Sequence, residues 1–190
     1  MFDDKRSKRV VLVAHCLLNQ NARIDRYAFF PGAMGKAAQV LLDSGVGILQ
    51  MPCPELTCLG LDRKGHRAIE IGIREALAEE EGRQCCRQIA RQLVYQIQEY
   101  QQHGFEIVGV VGNDGSPACG VDRAYDHEKG QGQGAGTFIA VLREEFARND
   151  FHVPFIAVQD LAWEENALKV EALLSGMKGE DEGREESLTV

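Results

Sequence analysis

The chain has 190 residues, of which 44% are hydrophobic and 26% charged, and this composition suits one globular domain with a sizeable core. Its net charge of -8 argues against a general nucleic-acid-binding protein, because phosphate binding needs clustered lysine and arginine. No stretch approaches the roughly 20 apolar residues that cross a bilayer, and the charged N-terminus does not resemble a signal peptide. We therefore expect a cytoplasmic protein with no membrane partner, and the sequence leaves its oligomeric state open.

Four short apolar runs have the length and composition of buried strands, and helical patterns lie between and after them. The predicted strands are residues 10–15, 46–51, 107–112 and 153–158. The predicted helices are residues 33–43, 69–80 with an interruption at Gly72, 82–103 and 135–148, and a last helix that Asp160 caps and that runs to about residue 174. This alternation predicts an α/β fold, a Rossmann-like parallel sheet of about four to five strands with helices on both faces.

The segments outside these elements define the predicted organisation. Residues 1–9 form a polar lead-in, residues 10–176 a single α/β domain, and residues 177–190 an acidic tail that we expect to be disordered. Two long loops, 16–32 and 113–134, follow predicted strands, and loops of this length usually have a function. Pro52 and Pro54 predict irregular structure after the second strand.

Three cysteines, Cys16, Cys53 and Cys119, follow three different predicted strands. The carboxyl ends of parallel strands share one crevice, so these thiols are predicted to meet there. Thiolates suit iron–sulfur clusters, zinc or copper(I), but structural zinc sites usually need four ligands and often use CxxC pairs, which are absent here. Three thiolates better match a [4Fe–4S] cluster with one iron left open as a Lewis acid. The alternative is three semi-buried structural cysteines.

The other three cysteines have weaker signals. Cys58, five residues after Cys53, is the alternate fourth ligand. Cys85 and Cys86 are adjacent within a predicted helix, where cysteine commonly behaves as a small buried apolar residue. Because disulfides are rare in the cytoplasm, all six cysteines are interpreted first as thiols or metal ligands.

Two residues near the proposed ligands are candidates for chemistry. Glu55 lies two residues after Cys53, where a carboxyl group could serve as general acid or base, although an ordinary loop glutamate is the alternative. In the segment GSPACG, residues 115–120, Ser116 could donate to a substrate or to the cluster, with Asn113 and Asp114 assisting. The alternative for this segment is a plain turn.

The remaining motifs are weaker still. Residues 130–136 (GQGQGAG) precede a helix and could present amide groups to an anion, but they match no phosphate-binding motif, so a lid or linker is favoured. His15 could support Cys16, and His127 lies in a polar loop. Isolated histidines of this kind are more often structural or exposed than ligands.

Three short motifs in order resemble the thiouracil desulfidase family: AHCLL at residues 14–18, CPE at 53–55 and GSPACG at 115–120. The similarity runs from about residue 9 to 160. It implies a Rossmann-like domain with a [4Fe–4S] cluster on Cys16, Cys53 and Cys119, and with Glu55 and Ser116 as acid/base and substrate-contacting residues. The implied activity is hydrolytic, non-redox removal of sulfur from a thiolated nucleobase or similar small thio-compound, whose sulfur binds the open iron.

The sequence departs from that family pattern in three places. Ala22 stands where a second cysteine is common, residues 57–60 (TCLG) replace a double glycine, and residues 61–65 (LDRKG) lack the usual basic, proline-containing stretch. These changes predict a related subfamily with its own thio-substrate. Two other functions stay open: a non-catalytic sensor or carrier of a metal or cluster, and a metal-free cysteine-nucleophile enzyme with His15 as base.

Overall fold

The computed structural model of the protein describes residues 2–63 and 68–176. The acidic tail predicted at residues 177–190 lies outside the described residues. The strands are β1 (Arg9–Ala14), β2 (Gly47–Met51), β3 (Glu106–Asp114), β4 (Arg123–Asp126), β5 (Gly130–Gln133) and β6 (Phe155–Gln159). Four of them form a parallel sheet, as the sequence predicted, and their order is β2-β1-β3-β6.

The sheet is held by its central strand β1, which pairs in parallel with both β2 and β3. The side chains of Val11, Leu12 and Val13 are completely buried, because both faces of the strand are covered. A parallel strand of this kind is a continuous hydrophobic run rather than an alternating one. The continuous hydrophobic run after residue 9 therefore predicted a strand correctly.

Helices cover both faces of the sheet, as predicted. They are α1 (His15–Leu18), α2 (Gly35–Asp43), α3 (Pro54–Leu59), α4 (Ala68–Ile71), α5 (Ile73–Ala78), α6 (Glu80–Gln102), α7 (Thr137–Arg148) and α8 (Trp163–Ser175). Helix α2 packs on α8, and α6 packs on α7. The long helix α6 buries Ile89, Leu93 and Ile97, which recur every four residues on one face. Among the described residues, no helix is long and apolar enough to span a membrane.

Two segments are more regular than predicted. Residues 113–134, expected to be a loop, contain the antiparallel hairpin β4–β5, and the segment predicted as a lid or linker begins with strand β5. Its sequence GQGQ has no β-forming side chains, so the pairing with β4 and not local preference makes the strand. Helix α3 begins directly at Pro54, where irregular structure was expected. Proline is tolerated at the first helical position, since the N–H it lacks would have no partner in the helix.

The interpretation of all six cysteines as thiols or ligands is wrong for two of them. Cys58 in α3 and Cys85 in α6 form a disulfide with a Cα–Cα distance of 5.8 Å. Cys58 is therefore not the alternate fourth ligand. The prediction failed because it assumed a reducing compartment and because the two residues are brought together only by the packing of α3 on α6.

Asp160 does not cap the last helix, which begins at Trp163 without a side-chain cap. Asp160 follows strand β6, and its carboxylate pairs instead with Arg23 in the loop after α1. Arg23 was available as an ionic partner across the sheet edge, and no pattern in the sequence indicates that pairing.

Candidate active site

A cavity of about 340 Å³ opens at the carboxyl edge of the parallel sheet. Segments that follow all four strands contribute side chains to its wall. The reactive or charged side chains among them include Cys16, Cys53, Glu55, Ser116, Cys119 and Asp160. The topology therefore brings Cys16, Cys53, Glu55, Ser116 and Cys119 to one cavity, whereas Asp114 and Cys58 do not line it.

The three strand-end cysteines carry no disulfide and share one electrostatic environment. Burial raises the pKa of the Cys53 thiol to about 11, and the neighbouring Glu55 carboxylate adds to the rise. Burial also raises the pKa of Cys119 well above its ordinary value, reinforced by the nearby Cys53 and Cys16. Each of the three thiols thus lies within electrostatic reach of the others.

Cys16 has a cationic neighbour that the sequence did not predict. Arg23 donates from Nη2 to the Cys16 sulfur at 3.7 Å. Two contacts with Asp160 hold the guanidinium in place: Nη1 donates to Oδ2 at 2.8 Å, and Nη2 lies 2.8 Å from Oδ1. Burial raises the pKa of the Cys16 thiol, and the Arg23 charge opposes that rise. Arg23 therefore favours the thiolate form of Cys16.

Cys53 takes its position from the start of helix α3. It is the residue before the first helical position, and its sulfur accepts the N–H of Leu56 at 3.4 Å. A cap contact of this type satisfies a backbone donor that has no partner inside the helix. The same turn projects Glu55, two residues later, into the cavity.

Glu55 is held at both carboxylate oxygens. Ser116 donates from Oγ to Oε1 at 3.2 Å, and Arg63 donates from Nη2 to Oε2 at 3.2 Å. The side chains of Glu55 and Arg63 are only 12% and 2% exposed. Glu55 is therefore a fixed, largely buried carboxylate, and not the solvated loop glutamate that was the alternative.

Arg63 is a buried arginine that ties three segments together. Besides Glu55, it donates to the carbonyls of Gly60, Leu61 and Ala22. Its own backbone has a φ of +56°, an uncommon conformation for a residue with a side chain. The contact with Ala22 joins the loop after Cys16 to the segment that follows α3.

Ser116 connects Glu55 to the turn that presents Cys119. Its Oγ accepts the N–H of Cys119 at 2.9 Å and that of Ala118 at 3.2 Å. The next residue must be glycine, because a Cβ at Gly120 would lie 2.1 Å from the carbonyl oxygen of Arg123. Close backbone approach, expected from the glycines of this segment, is confirmed at this position.

The two residues expected to assist Ser116 differ in their surroundings. Asp114 accepts three backbone N–H groups at Oδ1, from Val121, Asp122 and Arg123, so it holds the chain that follows Cys119. Asn113 lines the cavity with a buried amide. The two histidines His15 and His127 also line the cavity, and burial lowers the pKa of His15.

Sequence reasoning missed Arg23, Arg63 and Asp160. Arg23 and Arg63 lie in loops where charged residues are common, so nothing in their spacing distinguishes them. Asp160 had a usable signal, since it directly follows a predicted strand at the same sheet edge as the cysteines. It was interpreted as a helix cap because acidic residues often precede helices.

A site for one metal ion is not formed by the described side chains. Across residues 2–63 and 68–176, no group of three or more His, Cys, Asp or Glu side chains is arranged to hold a single ion. The thiols of a cluster site differ, because each binds a different iron and they need not converge on one point.

Comparison with known proteins identifies the family of this chain. A model of the 2-thiouracil desulfurase family matches residues 11–150. The chain belongs to this family. An uncharacterized protein of Methanocaldococcus jannaschii is 30% identical over 116 residues, which is 61% of this chain and 70% of that protein.

A solved structure described as a [4Fe–4S]-dependent thiouracil desulfidase, TudS, is also similar. It is 18% identical, with a TM-score of 0.47, over 85% of this chain and 97% of the other. The family model over residues 11–150 confirms the family that the three short motifs predicted.

Proposed function

We propose that this protein is a desulfidase that hydrolyses the carbon–sulfur bond of a small thiolated substrate of the thiouracil type, with a [4Fe–4S] cluster bound by Cys16, Cys53 and Cys119. Three unbonded thiols at three strand ends share a cavity with a carboxylate fixed by Ser116 and Arg63, and this observation carries the proposal. Membership of the 2-thiouracil desulfurase family and the TudS structure, which is described as [4Fe–4S]-dependent, support it. The cytoplasmic location remains a prediction.

The donor set fits an iron–sulfur cluster. Of the four free cysteines in the described residues, Cys16, Cys53 and Cys119 line the cavity and Cys86 does not, and soft sulfur donors favour iron–sulfur clusters over hard cations. Arg23 supplies an N–H to one of them, a contact of the type that stabilises and tunes cluster ligands. When bound, a cluster with three protein ligands would supply an open iron that acts as a Lewis acid on the substrate sulfur.

Glu55 is suited to move the proton of the reaction. Water adds to the thiocarbonyl carbon as Glu55 accepts its proton at a carboxylate oxygen, and the carbon–sulfur bond then breaks with both its electrons on sulfur. Glu55 passes this proton to the departing sulfur, and the new hydroxyl on carbon gives its own proton to the same sulfur as the carbonyl forms, so the thiocarbonyl and water become a carbonyl and hydrogen sulfide. No atom changes its oxidation state in this exchange, and no external reductant is required.

Ser116 and Arg63 fix the carboxylate for this role. Arg63 occupies Oε2, so Oε1, the oxygen that contacts Ser116, is the one turned to the Ser116–Cys119 turn. Holding the acceptor oxygen in one orientation before the reaction lowers the entropy cost of proton transfer. The Ser116 hydroxyl can then exchange its contact with Glu55 for one with the substrate.

The two alternative functions receive less support. A sensor or carrier would need the thiols but not a buried carboxylate held at both oxygens. A cysteine nucleophile needs a lowered thiol pKa, whereas burial raises the pKa of all three strand-end thiols.

The test is anaerobic reconstitution with iron and sulfide, followed by measurement of bound iron and of sulfide released from 2-thiouracil. We expect cluster loading and catalytic release of sulfide, and loss of both in Cys16→Ala. A wild-type protein that binds no cluster, or a Cys16→Ala variant that behaves like the wild type, would contradict the proposal.

A further inference from the structure

Asn113 has a buried acceptor atom without a partner. Its side chain is at the carboxyl end of β3, lines the cavity and belongs to a residue that is 3% exposed. Within the described part of the chain, no donor is placed to form a hydrogen bond with its Oδ1. Buried side-chain acceptors in native proteins nearly always have a partner, so this exception needs an explanation.

The surrounding buried polar side chains show that the fold can satisfy such atoms. Asp114, the next residue, accepts three backbone N–H groups. Asn166, equally buried, accepts the N–H of Gln159 at Oδ1 and donates to the carbonyl of the same residue. The Oδ1 of Asn113, in contrast, accepts no hydrogen bond from the described residues, although Asn113 lines the cavity.

The backbone fixes Asn113 relative to the proposed reacting groups. Its N–H donates to the carbonyl of Cys119 at 2.9 Å, and its carbonyl accepts the N–H of Ser116 at 3.1 Å. The backbone of Asn113 therefore cannot shift without moving the turn that carries Ser116 and Cys119. A side chain on a backbone anchored in this way starts from a fixed point beside the proposed reacting groups.

We infer that Asn113 determines substrate specificity by accepting, at Oδ1, a hydrogen bond from an N–H that neighbours the thiocarbonyl carbon. The inference rests on the proposed desulfidase function and names its substrate class: cyclic thioamides and thioureas in their thione form, with a ring N–H beside the C=S group. Thioethers and thiols have no such donor and would leave the acceptor unpaired, which is how a polar pocket rejects an analogue.

The experiment compares three proteins on three substrates. Asn113→Leu keeps the approximate shape and removes the acceptor, whereas Asn113→Asp keeps an acceptor oxygen in the same place. Each loaded protein is assayed for sulfide release from 2-thiouracil, 1-methyl-2-thiouracil and 3-methyl-2-thiouracil. Binding of the product uracil is measured by calorimetry as a readout that does not depend on turnover.

We expect wild type to lose on the order of 10- to 100-fold in kcat/KM for one of the two methylated compounds, because a site built around a donor rejects the analogue that lacks it. In Asn113→Leu, the kcat/KM for 2-thiouracil should fall toward the wild-type value for that methylated compound, so that the penalty for methylation disappears. Uracil should also bind more weakly to this variant. In Asn113→Asp the penalty for methylation should persist.

Stability separates this role from a structural one. Removing a buried acceptor that has no partner should leave the melting temperature of Asn113→Leu unchanged or raise it. The matched control Asn166→Leu, which removes a satisfied buried amide, should lower the melting temperature and keep the discrimination between the substrates.

Several outcomes would overturn the inference. If wild type releases sulfide but Asn113→Leu keeps the full penalty for methylation, or if Asn113→Asp loses it as completely as Asn113→Leu, the acceptor role is wrong while the desulfidase proposal stands. A lower melting temperature for Asn113→Leu would mark the amide as structural. A loaded wild type that releases no sulfide from any of the three compounds would refute the proposed function as well.

Discussion

The six cysteines divide into two groups of three that the fold treats differently. Cys16, Cys53 and Cys119 follow parallel strands and face one cavity without a disulfide. Cys58, Cys85 and Cys86 lie in or against helices α3 and α6, where two of them form a disulfide and the third is completely buried. The same residue type is thus a candidate ligand just after strands β1, β2 and β3 and a structural element in helices α3 and α6.

The difference follows from the backbone. A strand end in a parallel sheet delivers its next residues to a shared crevice, where the following turn leaves the side chain exposed to a ligand. A residue on the packed face of a helix places its side chain against a neighbouring helix, where a thiol is either buried or forms a disulfide. Burial raises the pKa of Cys86 to about 12, and the opposing charge of Arg83 only partly offsets that rise, so the thiol stays protonated and unreactive at neutral pH.

The largest expected effect is loss of the cluster when a strand-end thiol is replaced. Cys53→Ser or Cys119→Ser should abolish iron retention and sulfide release after anaerobic reconstitution, because the donor set would fall to two thiolates. Cys86→Ala, the matched replacement in the helical group, should retain both. Iron retention by Cys53→Ser at the wild-type level would remove the distinction between the two groups.

Replacement of Glu55 should stop turnover and spare the cluster. We expect Glu55→Gln to lower kcat by about 10²–10⁴-fold, the usual contribution of general acid–base catalysis. Iron content should stay at the wild-type value. Glu144→Gln is the control, since Glu144 pairs with Arg83 at 2.7 Å but does not line the cavity. Equal turnover in wild type and Glu55→Gln would favour a carrier or sensor.

Arg63 should act through Glu55. In Arg63→Met the carboxylate loses the contact at Oε2, and misplacement of an acting group can lower kcat on the order of 100-fold. Affinity for uracil, measured by calorimetry, should change little, and Arg63→Lys should recover part of the loss. If affinity falls while kcat is unchanged, Arg63 contacts the substrate directly instead of positioning Glu55.

The smallest effect on activity is expected from removal of the Cys58–Cys85 disulfide. The double variant Cys58→Ser/Cys85→Ser opens a link between residues 27 apart, which should cost about 3–4 kcal/mol of unfolding free energy in chain entropy. Denaturant unfolding measures that loss. Sulfide release by the folded variant should match wild type, and a loss of cluster would instead connect the helical cysteines to the site.

Much of the fold was predictable because its signals are local. The strand after residue 9 and the helix that became α6 carry hydrophobic patterns of the right period, and both were found within a few residues. The β4–β5 hairpin and the Cys58–Cys85 bond escaped prediction because contacts between distant segments create them.

The site was likewise predictable only where a local rule applies. Cys16, Cys53 and Cys119 could be grouped because the rule for strand ends converts sequence position into spatial proximity. No comparable rule locates the partners of Glu55 or Cys16. Arg63 reaches Glu55 because its side chain is buried although the turn before it is exposed, and Arg23 depends on an aspartate 137 residues away.

The central claim is that three strand-end thiols hold one cluster with an iron open to substrate. Mössbauer spectroscopy of protein reconstituted with ⁵⁷Fe, recorded with and without 2-thiouracil, tests it most directly. We predict a cluster spectrum in which one iron changes on addition of the substrate while the other irons stay the same. A spectrum that does not respond to substrate, or protein that retains no iron, would contradict the account.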